Sequence, residues 1–191
     1  MAPSAVSPGS VSASDPVTVR SARAEDIPVI CLLKWQFALG EGSTHVVRAC
    51  PEDWERDMFG PEPRYSAVLA ESAGAVIGMA IITQRFCPGW VGPLRAIDDL
   101  FVLPEHRRRG VGKALLAAAA AEAIGGGALF VELTVHEDNA QALRLYERTG
   151  FERVPAVTLV LTGDALTTLI GDSTPADAPL DRWLVEGGAT G

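Results

Sequence analysis

Apolar positions along the chain keep two rhythms, and the switches between them predict the elements. "VTVRSA" (17–22) alternates as a strand does. "AEDIPVICLLKWQFALG" (24–40) opens on Glu25 and Asp26, repeats Ile27, Ile30, Leu33 and Phe37 at helical spacing and stops at Gly40, which predicts a helix. A second, shorter helix is expected at "CPEDWERDMFG" (50–60). "RYSAVLAESAGAVIGMAIITQRF" (64–86) is two apolar runs joined by a tight "SAG", the pattern of a β-hairpin, and "PLRAIDDLFVLP" (93–104) is a strand ended by Pro104. An Ala- and Leu-rich helix follows over 111–124, stopped by Gly125, Gly126 and Gly127. Then come a strand "ALFVELTV" (128–135), a helix "NAQALRLYERTG" (139–150) closed by Gly150, and a last strand "AVTLVLT" (156–162).

This order predicts a single α/β domain with a mixed central β-sheet flanked by helices. The hairpin must be antiparallel, whereas strand-helix-strand units favour parallel pairing. The helix of 111–124 then leaves the end of a central strand, which is where α/β folds place ligands. The chain of 191 residues suffices for one such core. Residues 1–15, dominated by Pro, Ser and Ala, read as a disordered leader, 16–170 as the domain, and 171–191 as a flexible tail. The leader lacks the basic start and apolar centre of a signal peptide, and no apolar run is long enough to cross a bilayer. The expectation is a cytoplasmic protein with no membrane partner.

Cys31, Cys50 and Cys87 are widely spaced and odd in number, so they are expected as buried or half-buried free thiols rather than a disulfide framework or zinc site. His45 and His136 lack ligand partners at a metal-binding spacing, and no metal is expected. His106 is expected to lie exposed on its loop, without a catalytic role.

Charge changes the picture at one place. The formal net charge is −8, yet "PEHRRRGVGKALL" (104–116) gathers Arg107, Arg108, Arg109 and Lys113 around Gly110, Val111 and Gly112. A glycine turn between a strand and a helix N-terminus is an anion site, because first-turn N–H groups lack partners and the macrodipole adds positive charge. Gly110 and Gly112 would let a phosphate approach the backbone. The spacing excludes a nucleoside-triphosphate loop, since Arg107 stands where its first glycine belongs and Ala114 where its hydroxyl belongs. Leu115 in place of a third glycine excludes the dinucleotide fingerprint. A sequence pI near 4.9 argues against a nucleic-acid partner, which needs a basic face.

The remaining pattern, Arg-x-x-Gly-x-Gly at Arg107, Gly110 and Gly112, resembles the pyrophosphate loop of the GNAT superfamily of acyl-CoA-dependent N-acyltransferases. "DLFVLPEHRRRGVGKALL" resembles that family's strand-loop-helix core and "NAQALRLYERTGFERV" its closing element, in the right order. The resemblance implies acetyl-CoA as cosubstrate, with Leu100, Phe101 and Val102 pairing with the pantetheine arm. It also implies pyrophosphate held by the amides from Arg108 to Lys113, and a cofactor contact from Asn139. Tyr146 is the candidate general acid for the departing thiolate and a cofactor contact as well. A homodimer is implied too.

Asp98 and Asp99 interrupt an otherwise apolar strand, and alternation sends them to opposite faces. Because a buried carboxylate needs a partner, at least one is expected to face a polar cavity or a cation; a strand-end salt bridge is the alternative. "CPGWVGPLRAIDDLFVLPEHRRRGVG" is further similar to the spermidine/spermine N-acetyltransferase-like branch, which carries a Trp-x-Gly eight residues before an acidic pair; Trp90 and Asp98 keep that spacing. The resemblance implies Asp98 as base or amine anchor, directly or through water, and Trp90, Asp98 and Asp99 as substrate-binding residues. Glu132, an acid between Val131 and Leu133 of a strand, is a further candidate for binding an ammonium group, with a solvent-facing charge as the alternative. Of that branch's acidic stretch after the first helix only Glu41 remains, so a long polyamine fits less well. The resulting expectation is transfer of an acetyl group to a primary amine of a small cationic molecule. The alternatives are a protein or peptide N-acetyltransferase and a noncatalytic acyl-CoA-binding regulatory domain.

Overall fold

The structure, a computed structural model, describes residues 15–43, 47–87 and 92–155. The strand expected at 156–162, the leader, the tail beyond 170 and Trp90 lie outside the described residues. The chain divides at Phe151 into two compact units, and every helix and strand described lies in the first.

The elements run β1 (Val17–Ser21), α1 (Ile27–Gly40), α2 (Pro51–Phe59), β2 (Tyr65–Ser72), β3 (Ala75–Cys87), β4 (Gly92–Val102), α3 (Val111–Gly125), β5 (Val131–Leu133) and α4 (Ala140–Arg148). Their order in the sheet is β1-β2-β3-β4-β5; β1 to β4 pair antiparallel, and β5 joins β4 in parallel. This is the mixed sheet that the hydrophobic pattern predicts. The hairpin turns on Ala73 and Gly74, both at positive φ, as a two-residue turn between right-twisted strands requires. The acidic start of the first helix is instead a separate 3-10 turn, Ala24–Asp26, leading into α1.

Alternation along the strands sorts two cores. Leu69, Met79, Ile81 and Phe101 face α1 and α2, where they meet Ile30, Leu33, Trp54 and Met58. Val68, Ala70, Ala80, Ile82 and Ile97 face the other way, onto Val111, Leu115 and Ala119 of α3. Each fully buried branched side chain among these, such as Leu69 or Leu115, contributes roughly 1.5–3 kcal/mol. With both faces covered, the ends of the central strands are left for chemistry.

One charged group is built into this frame. Arg20 of β1 sends Nη1 and Nη2 to Asp26 at 2.6 and 2.8 Å and Nε to Glu71 of β2 at 2.8 Å, while the Arg23 N–H donates to Asp26 at 2.8 Å. Asp26 is 6% exposed, so its charge is tolerable only with these donors. They hold its carboxyl below the usual range, the Arg20 guanidinium most strongly, against the opposing effect of burial. A carboxyl depressed on folding stabilises the protein above its unfolded pKa of about 3.9, and that stabilisation is lost as pH falls through the folded value. Asp26→Asn should therefore cost about 2 kcal/mol near neutral pH, with the gap from the parent narrowing below about pH 4. Urea unfolding of both proteins from pH 7 to pH 2.5 checks this; a gap independent of pH would contradict it.

Candidate active site

The site begins with one extra residue in β4. Ile82 pairs with Ile97 but Ile81 pairs with Asp99, so Asp98 is the unmatched residue of a β-bulge. The parallel ladder to β5 stops at the same place, its last pair being Ile97 with Leu133. Beyond it β4 continues to Val102 with no partner on its β5-side edge among the described residues, while the other edge stays bonded to β3. A buried sheet whose central strand loses one neighbour has backbone donors and acceptors to offer.

That edge opens into a cleft of about 550 Å³. Its walls are Leu100, Phe101 and Val102 from β4, Arg107, Arg108, Gly110, Val111, Gly112 and Lys113 from the loop and α3, and Asn139 and Tyr146 from the α4 region. Eleven residues picked out in the sequence thus meet in one place. Gly110 begins α3 at φ +82 and no side chain caps the helix, so its first-turn N–H groups remain available. The first α-helical bond is the Ala114 N–H to the Gly110 carbonyl, at 3.0 Å. Asn139 caps α4, its side-chain oxygen accepting from the Ala142 N–H at 3.1 Å.

The cleft's charge is unlike the chain's. Five cations line it, Arg107, Arg108, Lys113, Arg144 and Arg148, against one carboxylate, Glu41. Arg107 is engaged within the protein: its Nε donates to the Val102 carbonyl at 2.9 Å and its guanidinium lies 5.8 Å from the Phe101 ring centroid. Arg108, Lys113, Arg144 and Arg148 form no ion pair with any described residue, whereas arginines elsewhere, such as Arg20, Arg56 and Arg85, are paired. Unpaired positive charge is concentrated where the helix N-terminus already favours an anion.

Tyr146 packs against Phe151, ring centroids 5.7 Å apart at 60°, and burial pushes its hydroxyl above the ordinary tyrosine value.

The acids are distributed differently from expectation. Asp99 is 7% exposed and takes Lys34 of α1 at 2.7 and 2.8 Å, and Lys34 lies 5.3 Å from the Phe37 ring. Asp98 accepts from Arg85 Nη2 at 2.9 Å, and Arg85 Nη1 reaches Glu132 at 3.0 Å. Asp98, Glu132 and Arg85 line a separate small depression, not the cleft. Met79 and Ile81 face α1, so alternation puts Arg85 on that same side, together with Asp99's partner Lys34. The two aspartates accordingly face one side of the sheet rather than opposite sides, because the bulge interrupts the alternation between them.

Other corrections have equally local causes. Arg109 turns from the cleft toward His106 Nδ1 at 3.0 Å and the Asp15 carbonyl at 3.3 Å, so it does not join the cationic wall. His106, expected exposed, is 7% exposed, held within the 3-10 turn Pro104–His106. Cys31 is half-buried as expected, but Cys50 is exposed because it starts α2, where its N–H and thiol both face Asp53 at 3.1 Å. The two glycines differ as well. Added at Gly110, a Cβ would meet nothing within 4 Å, so the residue is required for its left-handed backbone; at Gly112 it would lie 3.1 Å from Leu145 of α4.

Sequence reasoning missed Gln141, Arg144 and Arg148, whose spacing of three and four places them along one face of α4. That spacing was visible, but only the closing Gly-Phe and Tyr146 were read in this helix. Phe37 was read as core and also lines the cleft, and Arg85 and Lys34 had no local signal, since their partners are 13 or more residues away in sequence. Among the described residues no group of three His, Cys, Asp or Glu is placed to hold a metal ion, and no helix is long and apolar enough to cross a membrane.

A parallel strand pair, β4 and β5, thus parts beside a glycine-started, cation-lined helix N-terminus with Tyr146 across the cleft, an arrangement suited to an acyl-transfer class of enzyme. Residues 32–151 match the model of the acetyltransferase (GNAT) family, and the chain belongs to that family of acetyltransferases. It is 26% identical over 139 residues to the thialysine N-epsilon-acetyltransferase of Mus musculus, covering 69% of this chain and 82% of that protein. With the L-ornithine N5-acetyltransferase NATA1 of Arabidopsis thaliana it shares 34% identity over 131 residues, 66% of this chain and 53% of the relative. The crystal structure of an aminoglycoside acetyltransferase from an uncultured soil metagenomic sample has the same fold, with a TM-score of 0.65 at 19% identity, covering 76% of this chain and 97% of the other.

The two glycines make a paired test of the loop. Gly110→Ala should cost about 1 kcal/mol of stability through left-handed strain alone. Gly112→Val should cost about 1–3 kcal/mol by pressing on Leu145. Urea unfolding of both variants measures this, and shortening the neighbour with Leu145→Ala should make the valine at position 112 less costly.

Proposed function

We propose that the chain transfers the acetyl group of acetyl-CoA to a primary amine of a small cationic molecule. The observation that carries this is the meeting, in one cleft, of an unpaired strand edge, a helix N-terminus with unpartnered cations, and Tyr146. In this reading the edge from Leu100 to Val102 bonds the amide-bearing pantetheine arm, and the first turn of α3 with Arg108 and Lys113 binds the pyrophosphate. Asn139 adds a contact from α4.

The amine nitrogen attacks the thioester carbon, forming the amide C–N bond as the C–S bond breaks. The leaving thiolate takes its proton from Tyr146, which lines the cleft. The proton lost by the amine passes to Asp98, through water, since Asp98 lies at the bulge beside the cleft rather than in its wall. The side of the sheet that holds Asp98, Asp99 and Glu132 is the acceptor side, where negative charge favours a cation. The domain is proposed to extend over 16–170, and the enzyme to work as a cytoplasmic homodimer, as the resemblance implies.

Release of free thiol from acetyl-CoA with a panel of polyamines, lysine-like amino acids, aminoglycosides and short peptides tests the reading. Release with a small cationic amine supports it. Release with peptides alone makes the chain a peptide N-acetyltransferase, and CoA binding without any release makes it a regulatory acyl-CoA-binding domain. Tyr146→Phe should lower kcat about 100-fold with the CoA Kd changed less than twofold, measured by steady-state kinetics and calorimetry. Asp98→Asn should lower kcat/KM for the amine about 10-fold or more with the CoA Kd changed less than twofold, measured by steady-state kinetics and calorimetry; an unaltered kcat/KM would exclude Asp98 as base or anchor.

A further inference from the structure

The geometry points to Arg85 of β3 as a positioning residue for Asp98: its guanidinium fixes the direction of that carboxylate at the bulge, and Glu132 of β5 holds the guanidinium from the other side. This rests on the role proposed for Asp98 and deepens it, since Arg85 acts on the reaction only through that carboxylate.

Three observations lead there. First, every residue of β4 from Gly92 to Val102 has a Cα partner on β3 except Asp98, and the pairing with β5 has already ended at Ile97. The bulged residue therefore lacks the cross-strand neighbours that direct an ordinary strand side chain. What Asp98 has instead is the hydrogen bond from Arg85 Nη2, at 2.9 Å.

Second, the arginine is itself held in place. Arg85 pairs with Leu94, four residues before Asp98, so its side chain must run along β4 to reach the bulge. Ala96 lies between, lines the same depression as Arg85, Asp98 and Glu132, and is small enough to leave room for the aliphatic stem. Ala96 is also the residue that pairs with Glu132, which puts the β5 acid beside the path of the arginine, and Arg85 Nη1 donates to it at 3.0 Å. With its two terminal nitrogens on two carboxylates, the planar guanidinium cannot turn without giving up one bond.

Third, stability does not account for the arrangement. The side chains of Arg85, Asp98 and Glu132 are 52%, 35% and 42% exposed, and ion pairs so open to water contribute little to folding. The three-strand bridge stands instead where β4 and β5 part, at the carboxylate proposed to take the amine's proton.

Steady-state kinetics with acetyl-CoA and spermidine, L-lysine or kanamycin as acceptor, whichever wild type uses fastest, test this together with CoA titration calorimetry. Arg85→Gln should lower kcat about 10-fold without raising KM for the amine, because the carboxylate is present but misdirected, and should leave the CoA Kd within twofold. Arg85→Lys, which keeps the charge but not the fork, should recover part of that loss, and Glu132→Gln should lower kcat about threefold. The deciding variant combines Arg85→Gln with Asp98→Asn: with no base left to direct, removing the arginine should cost less than twofold more. Thermal midpoints should stay within about 4 °C of wild type, as exposed pairs imply; should Arg85→Gln fall outside that range, Glu132→Gln in both backgrounds carries the same test. A loss that persists in full in the Asp98→Asn background, an unchanged kcat, or a rise in KM alone would overturn the inference and leave Asp98 as base. Asp98→Asn without effect would remove the base and this role with it, and no transfer by wild type to any of the three amines would overturn the proposed reaction as well.

Discussion

The parting of β4 from β5 is the constraint on which the rest of the site depends. A single unmatched residue, Asp98, ends the parallel ladder at Ile97 and Leu133 and leaves the far end of β4 with one bonded edge and one open edge. Helices cover both faces of the sheet, and this edge opens into the cleft. The same bulge brings Asp98 and Asp99 to one side, giving that side its acidic character next to an opening that is otherwise cationic. A bulge thus accompanies the opening of a continuous sheet along one edge.

Electrostatics divides the molecule along that opening. In a chain of net charge −8, four cations without an ion pair among the described residues, Arg108, Lys113, Arg144 and Arg148, line the α3 and α4 side of the cleft, while Asp99, Asp98 and Glu132 are paired with Lys34 and Arg85. The cleft favours an anion, while the side that holds Asp98, Asp99 and Glu132 is only mildly acidic because Lys34 and Arg85 already occupy the acids. An enzyme of the GNAT family needs this asymmetry, since its two substrates meet from different directions and carry opposite charge under the reading proposed here.

Elements with a strong local pattern were legible in the sequence. The alternating hairpin, the Ala- and Leu-rich α3 and the Asn-started α4 stand where hydrophobic periodicity and end signals put them. Along the loop, the positions lining the cleft were legible because backbone geometry decides them: a helix start with Gly110 at positive φ has few alternatives. What could not be read were contacts across the sheet. Arg85 with Glu132, and Lys34 with Asp99, join residues 47 and 65 positions apart, and the bulge that reorients Asp98 arises from pairing between β3 and β4 rather than from any residue in β4 alone. Arg109 illustrates the same limit within three residues, since burial of His106 draws it away from the neighbours it resembles.

Gly112 meets Leu145 where even a methyl group would lie at 3.1 Å, which joins the start of α3 to the turn of α4 that carries Tyr146. Neither helix can slide along the other without opening a gap or a clash at that point. The contact makes the cleft a ruler. Under the reading proposed here, its cationic end and Tyr146 stay at a fixed separation, so a thioester would be measured by the length of the arm between its phosphates and its sulfur. A shorter or longer carrier that seated its phosphates would leave its sulfur out of register with the tyrosine.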